Sequence, residues 1–128
     1  DESFDAVLCF ETLEHVENQA QVLEELARVC RPDGRVFISI PWVRSTRFHE
    51  RDPAQPRGYQ HITELSREDF GALVSHTSLQ IAGESVCEML GRARTPAEHV
   101  VAMHARTGDL VVGLFKRFQF FELRKRPS

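Results

Sequence analysis

Several features are missing from this sequence, and each absence removes a class of explanation. No Gly-x-Gly fingerprint occurs in it, nor a Lys-Ser or Lys-Thr phosphate loop, so no glycine-rich cradle for a dinucleotide or triphosphate is written here. No His-x-x-x-His pair offers helical metal-ligand spacing. No stretch approaches the roughly 20 apolar residues of a membrane span. The opening Asp1-Glu2-Ser3-Phe4-Asp5 has neither the basic start nor the apolar run of a secretion signal. A basic excess is lacking too: 16 Lys and Arg stand against 19 Asp and Glu, a net charge of −3, which argues against nucleic acid as the main partner. The three cysteines cannot all pair with one another and sit in apolar settings, as small buried hydrophobes of a reducing compartment do. The expected location is the cytoplasm.

What is present organises as one domain, with no internal repeat, low-complexity tract or linker. Phe4–Phe10 is a near-continuous apolar run, expected of a strand covered on both faces. Asn18 can cap a following helix in which Val22, Leu23, Leu26, Ala27, Val29 and Cys30 recur at helical spacing. Pro32-Asp33-Gly34 ends that helix, and Arg35–Ile40 forms the next strand, stopped by Pro41. Strand, helix and strand make a βαβ unit, whose crossover sets the two strands parallel.

Residues 42–62 break the pattern, with Pro53, Pro56 and Gly58 among charged residues and no period of 2 or 3.6. A long loop after a strand's carboxyl end suits a lid over substrate, and a surface insertion would read the same way. Ser66 resembles an N-cap with Asp69 three residues on, ahead of the apolar stripe Phe70, Leu73 and Val74. Leu79–Val86 reads as a strand interrupted by Gly83, Pro96 opens a longer helix, and Phe118–Leu123 alternates as a closing strand.

The candidate chemistry sits just after the first strand. Glu11, Glu14 and His15 can put three donors around one point if residues 11–15 form a turn. Such a trio suits a divalent cation, a cofactor's hydroxyls or proton transfer by the imidazole. The position matters more than the letters, because ligands of parallel sheets sit at the carboxyl ends of strands, where Cys9, Phe10 and Glu11 lie. Glu11 can accept hydrogen bonds there, and the backbone around Cys9 and Phe10 can meet a flat ring. Of the remaining histidines, His61 at the end of the long loop is the one that invites a test.

Phe4-Asp5-Ala6-Val7-Leu8-Cys9-Phe10-Glu11-Thr12-Leu13-Glu14-His15-Val16 resembles the fourth strand and following loop of class I S-adenosylmethionine-dependent methyltransferases. Leu23–Pro41 resembles the helix, Pro-Gly-Gly turn and fifth strand of their small-molecule branch, which includes the ubiquinone-biosynthesis O-methyltransferases, with Asp33 replacing a glycine of the turn. The resemblance implies an α/β, three-layer Rossmann-like methyltransferase sheet that binds S-adenosylmethionine and a small-molecule methyl acceptor. It implies cofactor contacts at Cys9, Phe10, Glu11, Leu13 and His15, and a proton acceptor at His15 or His61. In the ubiquinone enzymes two glutamates and a histidine of this motif are associated with a divalent cation, and Glu11, Glu14 and His15 match them in type and spacing. Much of the branch carries the same letters without a metal, and no metal is assigned here.

The family's glycine-rich loop, and the acidic residue that holds the cofactor's ribose, have no counterpart. Residues 1–128 therefore read as the C-terminal portion of a single methyltransferase domain lacking its N-terminal half. The full-length parent is expected to transfer methyl groups and this portion alone to be inactive. The missing half, or a partner chain, is expected along the first strand. The rival reading is a non-catalytic module that docks through that exposed strand.

Overall fold

The computed structural model describes residues 1–55, 60–90 and 115–127. The first strand, β1 (Phe4–Phe10), leads through a single 3-10 turn (Leu13–His15) into helix α1 (Gln19–Val29) and then strand β2 (Cys30–Pro41). β1 and β2 run parallel, as the βαβ reading requires. The Asn18 side chain accepts the Gln21 N–H at 3.1 Å, the expected cap of α1. Leu23 and Ala27 are the residues of α1 that go fully into the core.

The junction of α1 and β2 differs from the sequence reading. The helix ends at Val29, and Cys30 already pairs with Phe4. Pro32-Asp33-Gly34 then forms an irregularity inside β2, which rejoins β1 where Arg35 meets Ala6. The physical reason is local: a residue before proline disfavours helical backbone, so Arg31 cannot extend the helix.

Strand β3 (Arg47–Phe48) pairs antiparallel with β4 (Thr63–Glu64), so the long segment is stitched at its two ends. Helix α2 (Arg67–Ser75) follows, with Ser66 Oγ accepting the Asp69 N–H at 3.2 Å as its cap. Strands β5 (Leu79–Leu90) and β6 (Phe115–Lys125) complete a four-stranded sheet in the order β1-β2-β6-β5. β6 runs antiparallel to both of its neighbours, which leaves β5 parallel to β2. The glycine interruption in β5 is a register shift between Ile81 and Gly83. The helix expected from Pro96 lies outside the described residues.

The core fills one side of the sheet. Val36, Ile38 and Ile40 of β2, Phe121 and Leu123 of β6, and Leu79 of β5 pack with Leu23, Ala27, Phe70 and Val74 of the two helices. Phe70 stacks on Phe121 with ring centroids 4.2 Å apart. The opposite side corrects the sequence reading of β1 as covered on both faces. Among the described residues Phe4, Leu8 and Phe10 are exposed, because both described helices pack against the other side. No helix among the described residues is long and apolar enough to cross a membrane.

Candidate active site

Glu11 stands where β1 ends, and its backbone is unusual. Its φ of 46° lies in the left-handed region that a residue with a Cβ seldom adopts. Ser39 of β2 holds it there: the Glu11 N–H donates to the Ser39 carbonyl at 3.2 Å and to its Oγ at 3.1 Å. The Ser39 hydroxyl in turn donates to Glu11 Oε1 at 2.8 Å. Glu11 is therefore clamped at both backbone and side chain by the neighbouring parallel strand.

The 3-10 turn then sends its three side chains in different directions. Leu13 is fully buried in the core. Glu14 is 1% exposed, and both of its carboxylate oxygens are buried without a hydrogen-bond partner. His15 is partly open, with its Nδ1 2.8 Å from the Gln60 carbonyl. A carbonyl only accepts, so Nδ1 is the donor of this contact. That Nε2 lies 3.9 Å from Glu14 Oε1.

The far end of the long segment folds back onto this turn. The Ile62 N–H donates to the Glu14 carbonyl at 2.6 Å, and the His49 N–H to the Ile62 carbonyl at 3.0 Å. Gln19 at the start of α1 donates to the carbonyls of Leu13 at 2.7 Å and Thr63 at 3.2 Å. Gln60 closes the loop from within: its amide donates to the carbonyls of Asp52 and Gln55, and its Oε1 accepts the Asp52 N–H.

This closure carries His61 to His15, with ring centroids 4.8 Å apart and the rings nearly perpendicular. Glu64 of β4 accepts a hydrogen bond from His61 Nδ1 and lies 3.5 Å from His49 Nε2. Burial works against the charge on Glu64, but the His61 hydrogen bond and the two imidazoles outweigh it and hold its carboxyl below the ordinary range. The Glu64 carboxylate only accepts, so His61 Nδ1 is the donor of this contact.

Glu11, Glu14, His15, Trp42, His61 and Glu64 share one cleft of ≈ 510 Å³. Its size suits a small molecule, and its three carboxylates face the Arg47 guanidinium within it. Of the residues expected to meet a cofactor, Glu11 and His15 line this cleft. Phe10 faces the open side of the sheet, edge-on to Phe120 at 5.9 Å. The side chains of Cys9 and Leu13 belong to the core. Burial pushes the Cys9 thiol above its usual value, as it does that of Cys30. His15 and His61, the two candidate proton acceptors, are brought together. The sequence reading missed Glu64 and Ser39. Ser39 was findable as the one polar residue near the end of an apolar strand, whereas Glu64 carried no signal.

Residues 1–38 match the methyltransferase domain family. The ubiquinone biosynthesis O-methyltransferase of Aeromonas salmonicida is 53% identical over 38 residues, a match covering 30% of this chain and 16% of that protein. The chain thus corresponds to a minor part of the curated relatives it matches. Among solved structures, an S-adenosylmethionine-dependent methyltransferase of Leishmania major superposes with a TM-score of 0.62 at 10% identity, covering 96% of this chain and 39% of that one. The 1,6-didemethyltoxoflavin-N1-methyltransferase of Burkholderia thailandensis, solved with S-adenosylhomocysteine, gives 0.58 at 16% identity, over 99% of this chain and 46% of that one. At these identities the structures establish the fold and leave the chemistry to the site.

Proposed function

We propose that this chain, which carries the methyltransferase-domain sequence in residues 1–38 and the class I methyltransferase fold across its described residues, contributes the acceptor side of a methyl-transfer site. The donor is S-adenosylmethionine and the acceptor a small molecule, with a hydroxyl as the favoured nucleophile. The observation that carries this reading is the pairing of His15 and His61 at the carboxyl ends of parallel strands, each with Nδ1 held by an oxygen. The Aeromonas relative's name as an O-methyltransferase supports the choice of a hydroxyl.

The chemistry asks little of the protein beyond placement. The acceptor oxygen forms a bond to the methyl carbon as the carbon–sulfur bond breaks, and S-adenosylhomocysteine leaves. The hydroxyl proton passes to an imidazole Nε2. Holding the reactants in line supplies most of the acceleration, and general-base assistance adds roughly 10²–10⁴-fold. Glu64 keeps His61 in the tautomer that accepts at Nε2 and stabilises the imidazolium that results. Glu11 and the backbone at Cys9 and Phe10 border the cofactor, and Trp42, Val43 and His61 of the long segment face the acceptor.

The residues present also fit the divalent cation that the motif resemblance implies, because Glu14 holds two buried oxygens with no partner. Glu14 and His15 would hold such an ion, which would acidify a hydroxyl bound beside it.

Calorimetry with S-adenosylhomocysteine and a methyl-transfer assay on the full-length protein test this reading together. The His61→Ala variant is expected to keep cofactor affinity within about threefold while kcat falls roughly 10²–10⁴-fold. Full activity in that variant would remove His61 from the chemistry.

The exposed Phe4, Leu8 and Phe10 on an edge strand favour one second reading, a docking module that pairs along β1. A folded full-length protein that associates through β1 and ignores S-adenosylhomocysteine would support it.

A further inference from the structure

We infer that Gln60 is a positioning residue of the cleft. Its side-chain amide gathers the preceding turn around one anchor, and its main-chain carbonyl, held still by that anchor, orients the His15 imidazole. The side chain reaches back to Asp52 and Gln55, while the carbonyl reaches across to the 3-10 turn after β1, so one residue joins both.

The Gln60 amide uses its nitrogen twice and its oxygen once. Nε2 donates to the Asp52 carbonyl at 2.7 Å and to the Gln55 carbonyl at 3.0 Å, and Oε1 accepts the Asp52 N–H at 2.7 Å. Asp52 is thus held at its N–H and its carbonyl alike, as a paired strand would hold it. Its own carboxylate tightens the turn, accepting the Ala54 N–H at 2.9 Å and the Gln55 side-chain amide at 3.2 Å. Two residues past Gln60, the Ile62 N–H donates to the Glu14 carbonyl at 2.6 Å. The Gln60 carbonyl therefore stands between two anchors, and His15 Nδ1 meets it at 2.8 Å.

His15 needs such a partner. Its side chain is partly open, and the outer torsion of an imidazole has no sharp staggered minimum, so the plane of the ring is free to rock. A fixed carbonyl removes that freedom. It sets the ring against His61, 4.8 Å away between centroids, and leaves Nε2 3.9 Å from Glu14 Oε1. The amide is essential to this arrangement, because Gln60→Glu keeps the size of the side chain but turns its donor into an acceptor facing two carbonyls. Docking the long segment and aligning the imidazole are then one event. The consequence for proton transfer at His15 rests on the methyl-transfer reading; the positioning itself does not.

The test is proton NMR of the full-length protein, read at the downfield imidazole N–H signal of a hydrogen-bonded His15 Nδ1. Loss of the signal in His15→Gln identifies it. The signal is expected in the wild type and in Gln55→Ala, which removes a neighbouring side chain of the same turn but leaves the carbonyl that Gln60 uses. It is expected to disappear in Gln60→Ala and in Gln60→Glu, both on a partly exposed side chain, with unchanged circular dichroism spectra. Exchange of the Asp52 amide should quicken about 10-fold or more in Gln60→Ala. A wild type without the signal, a signal retained in either Gln60 variant, or an equal loss in Gln55→Ala overturns the proposal. Separate calorimetry of the wild type with S-adenosylhomocysteine distinguishes a failed positioning role from a failed methyltransferase reading. The expected signal pattern without cofactor binding upholds the role of Gln60 and removes only its catalytic consequence.

Discussion

Gly34 shows how a single side-chain hydrogen can decide a position. A Cβ built there would lie 2.7 Å from Cys30 Sγ, 2.9 Å from the Asp5 carbonyl and 3.1 Å from the Phe4 carbonyl. Two of those neighbours are backbone of the paired strand, so they cannot swing away. Gly34→Ala is expected to lower stability by about 1–3 kcal/mol through overpacking, measured as a shift in the urea midpoint. Gly83→Ala is the control, because its Cβ would meet only the Glu122 Cβ at an ordinary 3.8 Å. Equal effects at the two positions would show that the tight β1–β2 approach is not the cause. Glu11 is the other residue whose backbone departs from the ordinary, and its left-handed φ is sustained by Ser39 on the adjacent strand.

At the scale of elements, α2 illustrates a start signal that works as written. Ser66 caps the Asp69 N–H, and the Asp69 carboxylate accepts from the Ser66 and Thr46 hydroxyls. The hydrogen bonds from Thr46 and Ser66 hold the Asp69 carboxyl below its ordinary value. A carboxyl depressed in the folded state contributes stability that is complete above the unfolded value and disappears as pH falls through the lowered folded one. Asp69→Ala should therefore lower the thermal midpoint by a constant amount near neutral pH. The gap between variant and wild type should narrow below about pH 4. A gap that persists to pH 2 would show that the carboxylate charge is not what the cap uses. The cap was legible because it is local: donor and acceptor lie three residues apart. The β3–β4 ladder was not, since two residues on each strand leave no periodicity to read.

The described part of the molecule is asymmetric about its sheet. Both described helices pack on one side, and Phe4, Leu8 and Phe10 stand exposed on the strand at the edge of the sheet. An apolar edge of this kind promotes pairing with another chain unless something covers it. The 128-residue chain is therefore expected to associate with rising concentration in sedimentation velocity, and Leu8→Lys is expected to suppress that association. Association unaffected by Leu8→Lys would place the contact elsewhere. Near the C-terminus, Lys125 pairs with Glu2 at 2.9 Å, Arg124 with Glu122, and Arg126 donates to the Leu79 carbonyl.

The amino-acid sequence by itself determined β1, α1 and the parallel course of β2, the Asn18 and Ser66 caps, and the proximity of Glu11, Glu14 and His15 along the chain. Those features rest on periodicity, capping and turn chemistry, which act over a few residues and can be read in order. Tertiary structure alone decided which side of β1 is bare, the insertion of β6 between β2 and β5, and the composition of the site. His15 meets the loop at Gln60, 45 positions away, and Glu64 reaches His49 across the ladder that β4 forms with β3. Such encounters depend on where a long segment returns to the fold, and no local pattern encodes that return. The same closure leaves the oxygens of Glu14 buried without a partner beside two oriented imidazoles.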